Sequence, residues 1–250
     1  MEGSDPMAKG LARFMGAQDM TVGSPVKKLI QFSIPLLIGN LAQQLVVGRY
    51  VGDNALAAVG ASGPMINLLL VLFVGISTGA NVMVAQYFGA KRRSELSDTV
   101  GTVITLTLLA SIIIMIVGPL LVPPFLRMVD TPVEIFDMTS SYLTIYFLGI
   151  AGMAYYNIIA GVLRGMGDSV MPLLFLMAAC LTNIVLDLLF VAKFGWGVAG
   201  VGIATVTSQV VAAALILAAL RKKGAVYELD LKQVRFTSRL LRDIVKIGLP

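Results

Sequence analysis

Residues 172–192 read PLLFLMAACLTNIVLDLLFVA, an apolar stretch matching the about 20 residues that carry a helix across a bilayer core of about 30 Å, and it holds one ionisable group, Asp187. A carboxylate in the middle of such a span costs about 2.5–3.5 kcal/mol on insertion scales, so it is expected to face a bundle interior or a wet cavity. Asn183 stands four residues earlier, which puts its amide one turn away on the same helix face. Together they form a polar spot suited to a proton or a small cation. The plainer reading makes Asp187 a helix-end residue that snorkels to the interface beside Lys193 and Phe194.

Charge-free runs recur at 29–47, 65–88, 99–126, 138–163, 169–186 (extended through Asp187) and 198–220, which predicts six spans. Ser24-Pro25 supplies an N-cap and a first-turn proline for the first, which is the shortest and is expected to kink at Pro35. Pro119, Pro123 and Pro124 are expected to end or bend the third helix before its hydrophobic run finishes. With 57% hydrophobic and 13% charged residues and a mean hydropathy of +0.88, the chain lies far from soluble proteins, where about 25% of residues are charged. The net charge of +5 does not point to nucleic acid, because the basic residues fall between the spans. Cys180 is the one cysteine and lies within a span, so no disulfide framework or Cys/His metal spacing exists. Histidine is absent, which leaves sensing of pH near neutrality to a carboxylate.

Orientation follows from the Lys and Arg residues. Placing the N-terminus in the cytoplasm leaves only Arg49, Arg127 and Lys193 of the 19 outside, so a multi-pass protein of the cell (inner) membrane with both termini cytoplasmic is expected. The chain then divides into a cytoplasmic tail over 1–23 with no signal peptide, a six-helix membrane unit over 24–221, and a connector over 222–250. In the connector Leu229, Leu231, Val234, Phe236, Leu240, Leu241, Ile244 and Val245 interleave with basic residues, the pattern of an amphipathic helix lying on an anionic inner leaflet. The last residues, IVKIGLP (244–250), repeat the hydrophobic pattern and proline of LIQFSIP (29–35). That repeat suggests the start of a second copy of the first span, hence one half of a two-repeat transporter.

Several strings are more specific: NLAQQL (40–45), VVGRYVGDNALAAVGASGP (46–64), GISTGANVMVAQYFG (75–89), LRGMGDSVMP (163–172) and the N-x-x-x-D of Asn183 and Asp187. Over about 26–250 the chain closely resembles the multidrug and toxic compound extrusion (MATE) family. The resemblance implies an all-α membrane protein whose six transmembrane helices form one lobe of a two-lobe, 6+6 transporter fold. It implies efflux of organic, often cationic, drugs or toxins across the plasma membrane by antiport against a coupling ion, Na+ or H+, with no other cofactor. Mapped by motif, the family's cation or proton site falls on Asn157, Asn183, Asp187 and Thr205, with sodium at Asp187 and Asn183 as one occupant. Amide, hydroxyl and carboxylate oxygens suit a hard monovalent cation, while ordinary interhelical hydrogen bonding is the alternative for Asn157 and Thr205. The expected partners are the small-molecule drug, the lipid bilayer, and a C-terminal lobe or a second copy.

The sequence departs from the family at one place. Relatives carry a segment resembling YNxVDTx between the QQL and VVGR strings, and its acid is the first-helix partner in the site; here Leu45 runs directly into Val46. About two helical turns are missing, which predicts a first span near the lower limit of length. Two other functions stay open on this reading. A lipid-linked oligosaccharide flippase of the same superfamily would want basic residues within the spans, where none is found; a non-transporting truncated subunit would only associate with other helices. No enzyme is expected, since there is no HExxH, Ser/His pair or acid dyad within the spans. Gly60-Ala61-Ser62-Gly63 reads as close helix packing or a turn at a helix start rather than a phosphate loop, Gly75, Gly79, Ala80 and Gly89 suit close helix contact, and Arg164 and Asp168 fix a turn. Met65, Met83, Met153, Met166 and Met177 either pack between helices or line a drug cavity.

Overall fold

The computed structural model describes residues 25–224 and 238–248, and among them every regular element is a helix. In chain order these are α1 (Pro25–Tyr50), α2 (Asp53–Ala61), α3 (Gly63–Gly89), α4 (Arg93–Met128), α5 (Val133–Leu148), α6 (Ile150–Gly165), α7 (Val170–Asp187) with a π-helical turn (Leu188–Lys193), α8 (Gly197–Gly224) and α9 (Ser238–Gly248). Four segments are long and apolar enough to cross a membrane: Asp53–Gly89, Arg93–Met128, Val170–Lys193 and Gly197–Arg221. The bent pair α5 and α6 makes a fifth. Against these, α1 packs on α7 as the sixth long element.

The helices are built inside out, as a bilayer requires. On α4 the exposed residues Leu109, Ile112, Ile113, Ile116, Val117, Leu120 and Leu121 recur at helical spacing and face outward, where lipid rather than water solvates them. The opposite, buried face carries Ser97, Thr102, Thr107, Ser111 and Gly118, small residues that let neighbours approach. Two of the hydroxyls bond back to their own helix: Thr102 donates to the Asp98 carbonyl and Thr107 to the Val103 carbonyl, 2.7 and 2.6 Å. α6 is enclosed on nearly every side, with Ile158, Ile159, Val162 and Leu163 fully buried, and forms the centre of the largest core with residues of α3, α4 and α8.

Three sequence expectations are corrected. The first helix is not short: α1 runs without interruption through Pro35 for 26 residues, about 39 Å at 1.5 Å per residue. It continues past Val47 because Val46 and Val47 bury against Ala55, Tyr142, Val191 and Val201. The third helix does not end at its prolines, since α4 extends through Pro119, Pro123 and Pro124 to Met128, its last turns anchored by the fully buried Val122 and Leu126. The fourth span is two helices meeting at Gly149 at 52°. There α8 comes so close that a Cβ at 149 would lie 2.0 Å from Val206 Cγ1. Gly149→Val is therefore expected to lower stability by about 1–3 kcal/mol through overpacking, read as a lower melting temperature in detergent; an unchanged melt would mean the α5–α8 contact is soft.

The smaller features sort cleanly. Ser62, fully buried at the joint of α2 and α3, donates to the Ala58 carbonyl at 2.9 Å, so the Gly-rich string is a helix joint and the second span begins at Asp53 rather than 65. Asp168 accepts the Met171 N–H at 3.1 Å and caps α7, with Gly167 at φ +87 turning the chain before it. Met65, Met83, Met153 and Met166 are core residues, and the Tyr146 hydroxyl donates to Met153 Sδ at 3.0 Å. Gly89 has open space around it, unlike Gly79. The tail 1–24 and most of the expected amphipathic stretch lie outside the described residues. Its described part, α9, turns Leu240 and Ile244 into the main core.

Candidate functional site

A cavity of about 170 Å³ lies between α1, α7 and α8. α1 contributes Asn40 and Gln43, α7 contributes Asn183, and α8 contributes Thr205, Ser208 and Gln209. Asn40 and Gln43 stand three apart on α1, and Thr205, Ser208 and Gln209 three and four apart on α8, so each pair or trio shares one helix face. The Gln43 Nε2 donates to Thr205 Oγ1 at 3.2 Å, tying α1 to α8. Thr205 in turn donates to the Val201 carbonyl at 2.9 Å, and Ser208 to the Thr205 carbonyl at 2.7 Å.

Asp187 stands one turn beyond Asn183, at the last residue of α7 before the π-helical turn. It is fully buried, and neither carboxylate oxygen has a hydrogen-bond partner in the protein. The Asn183 amide nitrogen is buried and unpartnered as well. From α5, Tyr142 meets the Thr205 side chain and lies within electrostatic reach of Asp187. An ionised carboxylate without a counter-charge is untenable in such surroundings, where its desolvation amounts to several kcal/mol. The group must carry a proton or sit beside a cation. Among the described residues no three of His, Cys, Asp and Glu converge, so the site offers one negative charge with neutral oxygens around it, a set matched to a monovalent ion.

Of the four residues expected from sequence, Asn183 and Thr205 line the cavity; Asp187 is not among its lining residues but stands one turn from Asn183 and within electrostatic reach of Tyr142, which meets Thr205. Asn157 is not among the residues around this cavity. Its amide donates to the Met153 carbonyl at 2.9 Å, and its own carbonyl accepts Ser77 Oγ at 2.6 Å, which joins α6 to α3. The snorkelling alternative for Asp187 does not fit a side chain with no exposed surface. Asn40, Gln43, Ser208, Gln209 and Tyr142 were missed by reading the sequence for charge. Two amides at i and i+3 in an apolar helix, and Thr205, Ser208 and Gln209 at i, i+3 and i+4, were the available signals.

The chain is 31% identical over 233 residues to the probable multidrug resistance protein YoeA of Bacillus subtilis, covering 88% of this chain and 50% of that protein. It is 23% identical over 234 residues to the multidrug export protein MepA of Staphylococcus saprophyticus, covering 91% of this chain and 52% of that one. Its fold superimposes on the inward-facing conformation of a multidrug resistance MATE family transporter of the MOP superfamily with a TM-score of 0.79, at 27% identity over 89% of this chain and 52% of that one. A crystal structure of MATE in the bent conformation matches with the same TM-score, at 28% identity over 91% of this chain and 52% of that one. The chain spans about half the length of the curated relatives it matches. These relatives are membrane transporters and not enzymes. Residues 29–189 match the MatE family model, and with the helical lobe and its buried acid this chain belongs to the MatE family.

Proposed function

We propose that this chain acts as the N-terminal lobe of a multidrug exporter driven by a cation gradient, sodium or proton, and that Asp187 with Asn183 holds the coupling ion. The observation that carries the reading is the fully buried Asp187 carboxylate with no protein partner, one turn from an unpartnered buried amide. The size of the cavity agrees with an ion rather than a drug. At about 170 Å³ it has room for a few waters of about 30 Å³ each, and it falls short of the roughly 300–1,000 Å³ of drug pockets, so a drug would be held with help from a facing lobe. Coupling follows if the ion binds one arrangement of α1, α7 and α8 more tightly than another. Gln43 to Thr205 is the contact such a rearrangement would make or break.

The test uses Trp196, the single tryptophan, which stacks on Phe190 of the π-helical turn at 4.9 Å between centroids. Its fluorescence is expected to change on titration with Na+ or with pH, and a flat response to both would count against an ion site on α7. The orientation belongs to the same proposal: both termini cytoplasmic. Cysteines at the exposed Asp130 and Ser94 are expected to label from opposite sides of the membrane, Asp130→Cys from outside and Ser94→Cys from inside. Labelling of both from one face would overturn the topology.

A further inference from the structure

We propose that the turn between α7 and α8 is a phospholipid-binding shelf: an aromatic stack that lies at the glycerol level of the bilayer, with Lys193 beside it to take a lipid phosphate. Its place follows from the spans on either side. Val170–Lys193 and Gly197–Arg221 are each long and apolar enough to cross a membrane, so Phe194, Gly195 and Trp196 between them stand at a membrane surface, at the opposite end of α7 from the Asp168 cap. The exposed Arg49 and Tyr50 close α1 at the same level, where Val51 Cγ1 lies 3.7 Å from the position of a Cβ at Gly197.

The shelf is an ordered structure. Gly195 and Gly197, at φ +67 and +56, fold the chain back, and the Trp196 backbone N–H donates to the Phe190 carbonyl at 2.9 Å. That return lays the indole on the Phe190 ring, 4.9 Å between centroids and 18° from parallel, and Phe194 completes the cluster at 5.5 Å from Trp196. Phe194 and Trp196 nevertheless stay 49% exposed each. Rings with an apolar body at the end of a span gather where hydrocarbon meets headgroups, the one layer that solvates both their faces and their polar edges. The lipid side is marked on α7 by Leu181, Val185 and Leu188, exposed at i, i+4 and i+7, a wholly apolar column leading up to the shelf; Asn183 and the buried Asp187 are on the opposite face. Charge then selects the lipid group. Lys193 Nζ stands 6.0 Å from the centroid of the Phe194 ring, so the shelf already carries a cation, which repels an organic cation and attracts a phosphate. The shelf hangs from the π-helical turn Leu188–Lys193, which begins one residue after Asp187, and a lipid held here therefore holds the end of α7.

Trp196 is the one tryptophan, so its emission reports the shelf in the full 250-residue chain reconstituted in vesicles at fixed pH and sodium. Phosphatidylcholine brominated near the carbonyl end of its acyl chains is expected to quench at least about twofold more than the same lipid brominated near the terminal methyl, and acrylamide at least about threefold less than it quenches free tryptophan amide. In mixed vesicles brominated phosphatidylglycerol is expected to compete for the shelf up to about fivefold better than brominated phosphatidylcholine, and Lys193→Gln, which leaves all three rings in place, to erase that preference without changing the depth. Deep labels that quench as well as shallow ones, or acrylamide quenching at the free-tryptophan rate, would overturn the placement at the interface. Equal quenching by the two lipids in the parent chain, or a preference that survives Lys193→Gln, would overturn the phosphate contact. N-methylpyridinium, a water-soluble cationic contact quencher, is expected to act no better than acrylamide; saturable quenching by it would overturn the lipid reading and make the shelf an organic-cation platform. None of these readouts involves Asp187 or ion binding.

Discussion

Asp187→Asn will abolish the sodium- or pH-dependent change in Trp196 fluorescence while leaving insertion and folding intact. The substitution keeps the size of the side chain and removes the one negative charge buried between α7, α8 and α5. With that charge gone there is nothing for a cation to neutralise and no proton to exchange, so the response should fall to zero rather than shift. Folding is expected to hold or improve, since an amide buried in a span costs less than a carboxylate, for which insertion scales give about 2.5–3.5 kcal/mol. Asn183→Ala should act in the same direction and more weakly, reducing apparent ion affinity by roughly tenfold, the worth of one hydrogen bond to a charged group. The measurement is a fluorescence titration of parent and variants in proteoliposomes, with melting temperatures recorded alongside. An unaltered response in Asp187→Asn would move ion binding elsewhere in the lobe; a lost response together with a lost fold would be settled by Asn183→Ala.

Sequence alone carried the architecture a long way, because a bilayer leaves few options. Runs such as 172–192 and 198–220 admit no structure but a helix, and one acid in such a run must turn inward, which is where Asp187 lies. What the sequence did not carry were the features that depend on neighbours. Proline propensity spoke for a break at Pro119 to Pro124, yet buried Val122 and Leu126 hold α4 together there. At the bend Gly149 lies against Val206, more than fifty residues away, and no local pattern announces that contact. At the site, charge singled out Asp187, whereas Gln43 became visible only when α1 was seen bonded to Thr205. The resemblance by motif placed Asn157 in the cation site; its amide nitrogen donates within α6, to the Met153 carbonyl, a bond that no sequence pattern shows. The absence of the family's first-helix acid suggested a crippled α1. Instead α1 is 26 residues long and lines the cavity with the neutral amides of Asn40 and Gln43.

Residues 1–250 by themselves will not extrude drug. Alternating access in two-repeat transporters rocks one repeat against the other around a site at their interface, and this chain spans about half the length of the exporters it resembles. Its own cavity of about 170 Å³ is below the size that would bury a drug molecule, and its lining comes from α1, α7 and α8 of this lobe. An ion can still bind there, so ion response and transport should separate: the first present in this chain, the second absent. In proteoliposomes with an imposed sodium or proton gradient, ethidium-type dye is expected to move no faster than in empty vesicles, even with a potential of 100 mV adding about 2.3 kcal/mol per charge to the driving force. Co-reconstitution with a matching C-terminal lobe should restore gradient-driven dye movement, and Asp187→Asn in that restored pair should remove it again, which links the ion site to the work done. Should the chain alone move dye well above the empty-vesicle rate, two copies must supply each other's missing lobe. Cross-linking in the membrane would then have to capture a dimer, and the half-transporter reading would give way to a homodimeric exporter.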